Sequence, residues 1–129
     1  MRACRWYRAE EGTATLPLVL AVPAMLALVL GGVQLALWLH LQHVVTAAAQ
    51  EGLVAARVET GTAVAGEERA WLFLEQLAPP LLKDPSVVAT AGPEVARVVV
   101  RARVAEVVPG LRLEVRATAE GVRERFRGP

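Results

Sequence analysis

The chain has 129 residues, 54% of them apolar and only 5% aromatic, with a formal net charge of +1. That length allows one domain with at most an appended segment. The near-neutral balance gives no general electrostatic case for nucleic acid, and a single cysteine, Cys4, excludes an internal disulfide and a cysteine-built zinc site.

The first 12 residues form a short basic leader with Arg2, Arg5 and Arg8, closed by Glu10, Glu11 and Gly12. From Gly12 to Gln50 there is no Lys, Arg, Asp or Glu, and between residues 16 and 39 Gln34 is the only conventional polar side chain. As a helix, that stretch reaches about 36 Å, enough to cross the ~30 Å hydrocarbon core of a bilayer. A domain this small has too little remaining chain to cover such a helix on every side. The expectation is a transmembrane helix over 13–41. The flanking arginines place the N-terminus in the cytoplasm and the C-terminal domain outside. Trp6 and Tyr7 on one side and Trp38 on the other are candidates for an interfacial belt. The rival is a cleaved secretory signal, with Ala47-x-Ala49 as its site and a small binding domain released at Gln50. Against it stand the length of the apolar run and the two acids in the leader.

Alanine dominates residues 47–56 and favours helix, so the helix is expected to continue outside the membrane over 42–60. Gly61 and Gly66 are expected to break it. Small residues recur four apart: Ala27 with Gly31, Gly32 with Ala36, then Ala48, Gly52 and Ala56. This spacing lets helix backbones approach closely in lipid. The first two pairs point to packing between helices, and the last three residues point to seating of an external sheet. Pro23 is a candidate kink.

The external domain, 61–129, reads as α+β. Residues 67–77 predict a second short helix, with Glu67 and Glu68 at its positive end, Ala70, Trp71, Leu74 and Leu77 on one face, and Pro79 and Pro80 as its stop. Three strand signals follow. Residues 86–91 form a short one. Residues 94–107 place Val98, Val100, Ala102 and Val104 on one face. Residues 111–119 place Leu111, Val115 and Ala117 inward. Pro109-Gly110 is the turn between the last two. Together they give a small antiparallel sheet of about three strands, packed by one face on the extramembrane half of the first helix.

The outward face carries Arg97, Arg101, Arg103, Arg112 and Arg116 against Glu106 and Glu114. Such a surface could meet DNA phosphates. Without aromatics between the arginines to stack bases, a solvated face with cross-strand ion pairs fits better. His40 and His43 have no third ligand nearby, so no metal is expected. No nucleophile motif or phosphate loop is present, so neither a cofactor nor enzymatic activity is expected.

The order "EEGTATLPLVLAVP", the apolar helix and "AAAQEGLVAAR" resembles the TadE-like pseudopilins of tight-adherence (Flp-type) pilus systems. These are relatives of type IV pilin precursors. Gly12, Thr13 and Ala14 fit the family's start, Pro23 its internal proline, and Ala48, Ala49, Gly52, Ala55, Ala56 and Arg57 its later stretch. Residues 122–127, "VRERFR", are similar to many of its C-termini. The resemblance implies a membrane-anchored pilus assembly protein whose partners are lipid, other pilin or pseudopilin subunits and an assembly platform, in a system serving secretion and adhesion. It also implies a prepilin peptidase acting between Gly12 and Thr13. One departure stands out: Pro17 occupies the position where the family usually has glutamate. That leaves open a minor or tip subunit or an uncleaved bitopic factor. A DNA-capturing minor pilin is the alternative from the binding class.

Overall fold

The computed structural model describes residues 15–77 and 80–125. It is an α+β structure, with helix α1 (Thr15–Arg57), helix α2 (Ala63–Leu77) and strands β1 (Leu82–Ala91), β2 (Val95–Val104) and β3 (Glu114–Val122). The strands form one antiparallel sheet in the order β1-β2-β3. The expected long helix, short helix and three-stranded sheet are all present. The leader, the Gly12–Thr13 bond, Pro79 and residues 126–127 lie outside the described residues.

The 43 residues of α1 span about 65 Å and run continuously through Pro23. Two regimes follow each other along it. Between residues 15 and 33 every residue is exposed except the half-buried Leu30. From Gln34 onward one side is covered: Gln34, Leu41, Val44, Val45, Ala48, Ala49, Gly52 and Ala56 are buried. The uncovered part is hereafter the stem, and the rest of the fold the head. Strand alternation supplies the other half of the core, with Ala96, Val98, Val100, Ala102 and Val104 of β2 and Val115, Ala117 and Ala119 of β3 turned toward the helices. Trp71 and Phe73 pack against its margin.

α1 ends at Arg57, short of the expected residue 60, and Gly61 closes the turn that follows with its N–H on the Val58 carbonyl at 2.8 Å; Gly66 does not break the next helix. It lies inside α2, which starts at Ala63. The Thr62 hydroxyl accepts the Ala65 N–H at 3.1 Å and caps that start. Glu67 and Glu68 therefore fall beyond the first turn, and the Glu67 carboxylate accepts the Ala89 N–H of β1 at 3.0 Å instead. Gly66 is needed for close approach. A Cβ there would meet the Ala56 Cβ at 2.9 Å and the Gly52 carbonyl at 3.0 Å. A Cβ on Gly52 would meet the Gly66 carbonyl at 2.8 Å, the Ala70 Cβ at 3.1 Å and Val98 at 3.2 Å. The two helices thus cross backbone to backbone, over the sheet, through a pair of glycines.

The strands differ from expectation at their ends: β2 stops at Val104 rather than 107, and β3 runs on to Val122 rather than 119. β1 begins four residues early, at Leu82, and carries a register shift between Lys83 and Ser86. Asp84 there adopts a positive φ of 45°, as an aspartate in a bulge can. β3 begins at Glu114, so Leu111 is not an inward strand residue. It lies in the β2–β3 loop and is 40% exposed. The Pro109-Gly110 turn lies too far before the strand to keep its alternation, and Leu113 takes the place against the core.

Gly52→Val is expected to overpack the helix crossing, costing about 1–3 kcal/mol and lowering the head's melting temperature by roughly 10 °C. Nothing lies within 4 Å of a Cβ at Gly31, so Gly31→Val should leave that melting unchanged. Near-ultraviolet circular dichroism of both variants in detergent checks the contrast.

Candidate functional site

Three surfaces of the described residues bear on function: the stem, the seam where the head takes over from it, and the outer face of the sheet.

The stem is a helix long and apolar enough to cross a membrane, and none of its most apolar 18-residue window is buried in the fold. Leu16, Val19, Met25 and Leu28 stand 66–77% exposed. Its 19 residues from 15 to 33 rise about 28 Å, close to the thickness of a bilayer core. Of the small-residue pairs, Ala27, Gly31, Gly32 and Ala36 all lie on exposed helix, and no side chain of the same chain approaches either glycine within 4 Å. Ala48, Gly52 and Ala56 are buried in the head. There they face α2 and the sheet at the glycine crossing.

The seam is built from hydrogen-bonding side chains at Gln34, Trp38 and Gln42, four residues apart and so on one helix face. Gln34 is 1% exposed. Its amide nitrogen donates to the Ala105 carbonyl at 3.3 Å, and its amide oxygen accepts from Val107 N–H at 2.7 Å and Val108 N–H at 3.3 Å. The Trp38 indole N–H donates to the Glu114 carbonyl at 3.1 Å. Gln42 donates to the Arg116 carbonyl at 2.7 Å and accepts the Arg116 N–H at 3.3 Å, as a neighbouring strand would. The match is metric. Four helical residues rise about 6 Å, and two strand residues rise nearly the same. Helix and β3 therefore run side by side in one direction, until Glu124 N–H reaches the Arg57 carbonyl at 2.9 Å. With Gln42 on β3 and Glu67 on β1, both open sheet edges meet a helix side chain, which blunts their tendency to pair with another chain.

Sequence reasoning placed Gln34 inside the span and Trp38 at the interface, and did not single out Gln42. The i, i+4, i+8 spacing of three hydrogen-bonding side chains on one face of the helix was the available signal.

On the outer face the five arginines do not act together. Arg97 pairs with Glu120 at 2.6 Å, its cross-strand register partner. Arg103 pairs with Asp84, and Arg112 with Glu106 at 3.5 Å in the loop. Arg101 and Arg116 face each other across β2 and β3, and among the described residues neither side chain has an ion pair. Three of the five charges are thus neutralised locally, which shortens any phosphate-binding track. His40 and His43 are both exposed on α1, and among the described residues no group of three His, Cys, Asp or Glu side chains is placed to hold a metal.

Residues 12–53 match the family model described as TadE-like protein. No curated protein and no solved structure is significantly similar to the chain.

Gln34→Leu is expected to strand one carbonyl and two N–H groups of the β2–β3 loop. That should cost about 1–3 kcal/mol. Native-state hydrogen exchange should show the Val107 and Val108 amides losing protection while amides at the centre of β2 keep theirs.

Proposed function

We propose, starting from the TadE-like match over residues 12–53, that this chain is a single-pass membrane protein of a tight-adherence type pilus system and contributes to pilus assembly as a structural subunit. The observation that carries the reading is the stem: residues 16–33 carry no polar side chain, and all of them are exposed except the half-buried Leu30. In water such a surface would aggregate. In lipid it is at home, and its backbone groups are satisfied within the helix.

The seam sets the limit of the span. Gln34 and Trp38 bind the head, so the bilayer core takes residues up to about Val33 rather than the whole of 13–41. The positive leader residues Arg2, Arg5 and Arg8 favour a cytoplasmic N-terminus and a head on the opposite side. Ala27, Gly31 and Gly32 then face lipid or neighbouring helices, with Ala36 exposed just past the span, and their small size supports lateral packing with pilin or pseudopilin subunits or an assembly platform. Ala48, Gly52 and Ala56 serve the head internally and are not free for that role.

The mechanism is mechanical. The stem holds the subunit in the bilayer, and the head is fixed to it through a continuous helix rather than a linker. Force or position applied to one is transmitted to the other. Nothing in this reading asks for a reaction performed by the chain itself. If a prepilin peptidase acts, the chain is its substrate at Gly12–Thr13.

N-terminal sequencing of protein recovered from carbonate-washed membranes tests the reading. A start at Thr13 supports a processed pseudopilin, and a start at Met1 supports an uncleaved bitopic factor. A soluble product starting at Gln50 overturns both. In the same preparation Leu26→Arg, at about 2.5–3.5 kcal/mol for a charge at mid-span, is expected to reduce the membrane-integrated fraction. For the DNA-capturing alternative, charge reversal at Arg101 and Arg112 should abolish DNA retention if that reading holds; unchanged retention eliminates it.

A further inference from the structure

The loop between β2 and β3 has an unusual tip. Residues 107–111, Val-Val-Pro-Gly-Leu, include no polar side chain; Pro-Gly is ordinary turn chemistry, but the Val and Leu on either side of it are apolar. Val107 is 37% exposed and Leu111 40%. The turn is well formed. Leu111 N–H donates to the Val108 carbonyl at 3.2 Å, Pro109 holds the first corner, and Gly110 supplies the positive φ of 81°, the pattern of a type II turn. A rigid apolar corner is thus held out from the head.

Its position gives it a meaning. Gln34, the residue where cover of α1 ends, holds the backbone of this loop at Ala105 and at the first two residues of the tip, Val107 and Val108. Past the tip, β3 is bonded to α1 at Trp38, then at Gln42, and the chain returns to it at Arg57, so it runs away from the stem. The tip therefore lies at the stem end of the head. Charged groups stand behind it: Lys83, with Arg103 paired to Asp84 and Arg112 paired to Glu106. Cations at this depth can bury their methylene stems and keep their heads at the level of lipid headgroups.

We propose that the β2–β3 tip is a second membrane contact, which inserts Val107, Pro109 and Leu111 into the interfacial region of the leaflet from which α1 emerges. This rests on the reading of the stem as the membrane span. A helix alone leaves its head free to rotate about the bilayer normal and to tilt. A second, off-axis contact removes that freedom and presents the Arg101–Arg116 face in one fixed orientation to other subunits.

The test uses the full chain in a Cys4→Ser background, with single cysteines introduced as Met25→Cys, Val88→Cys or Leu111→Cys. Each is labelled with an environment-sensitive nitrobenzoxadiazole and reconstituted into phosphatidylcholine–phosphatidylglycerol vesicles. All three native side chains are exposed, so the labels fit without repacking the core. The label at 111 is expected to emit to the blue of the one at 88 and to be quenched by headgroup-spin-labelled lipid more than by aqueous iodide. The label at 25 should be quenched best by acyl-chain spin labels, and the one at 88 by iodide alone. If position 111 follows 88 while 25 stays in lipid, the tip contact is wrong and the span stands. If position 25 is itself open to iodide, the span reading falls, and the tip contact falls with it.

Discussion

The change of surroundings along α1 at Gln34 governs the rest of the structure. On one side of that residue the helix turns apolar side chains outward in every direction. On the other it is bonded along one face to a sheet. A single helix can serve both environments because its backbone hydrogen bonds are internal throughout. Only the side chains have to change. Gln34 marks the boundary because its amide satisfies three backbone groups of the adjoining loop while it is itself buried. A side chain without hydrogen-bonding capacity there would close the core and leave that loop unpartnered.

Small residues have two different uses on the same helix. At Gly52, with Gly66 opposite, the missing side chain lets α1 and α2 touch backbone to backbone, and the sheet then covers both. At Gly31 and Gly32 a Cβ would meet nothing within 4 Å from the rest of the described residues. The spacing is alike, and the surroundings separate the roles. The head's internal packing accounts for the first set, and the second lies outside that packing.

Charge on the head is organised by the strand register. Pairing Arg97 with Glu120 and Arg103 with Asp84 leaves Arg101 opposite Arg116 without an ion pair among the described residues. Like charges directly opposed on a sheet are unfavourable. This couple is therefore a local cost of the fold rather than part of a continuous basic track. Arg123, near the chain's end, has a structural task instead: its guanidinium donates to the Gly61 and Gly92 carbonyls and ties the end of α1 to the β1–β2 turn.

Much of this was legible in the sequence. Residues 12–50 without a charge, alternation in 94–107 and 111–119, and the prolines after Leu77 dictate a long apolar helix, a short helix and strands, because periodicity and the absence of charge act locally. The resemblance of the first 57 residues to TadE-like proteins likewise lay in local motif order. What needed the tertiary structure was every decision that depends on a distant partner. Gly66 sits inside a helix because Gly52 lies across from it. Leu111 leaves the core because β3 starts three residues later. Gln34, Trp38 and Gln42 become a seam because β3 lies alongside α1, matching its rise in step. Sequence alone determined that the first part of the chain must be apolar helix; only the packed head decided where along that helix the covering begins, since burial is a property of what stands opposite and not of the residue itself.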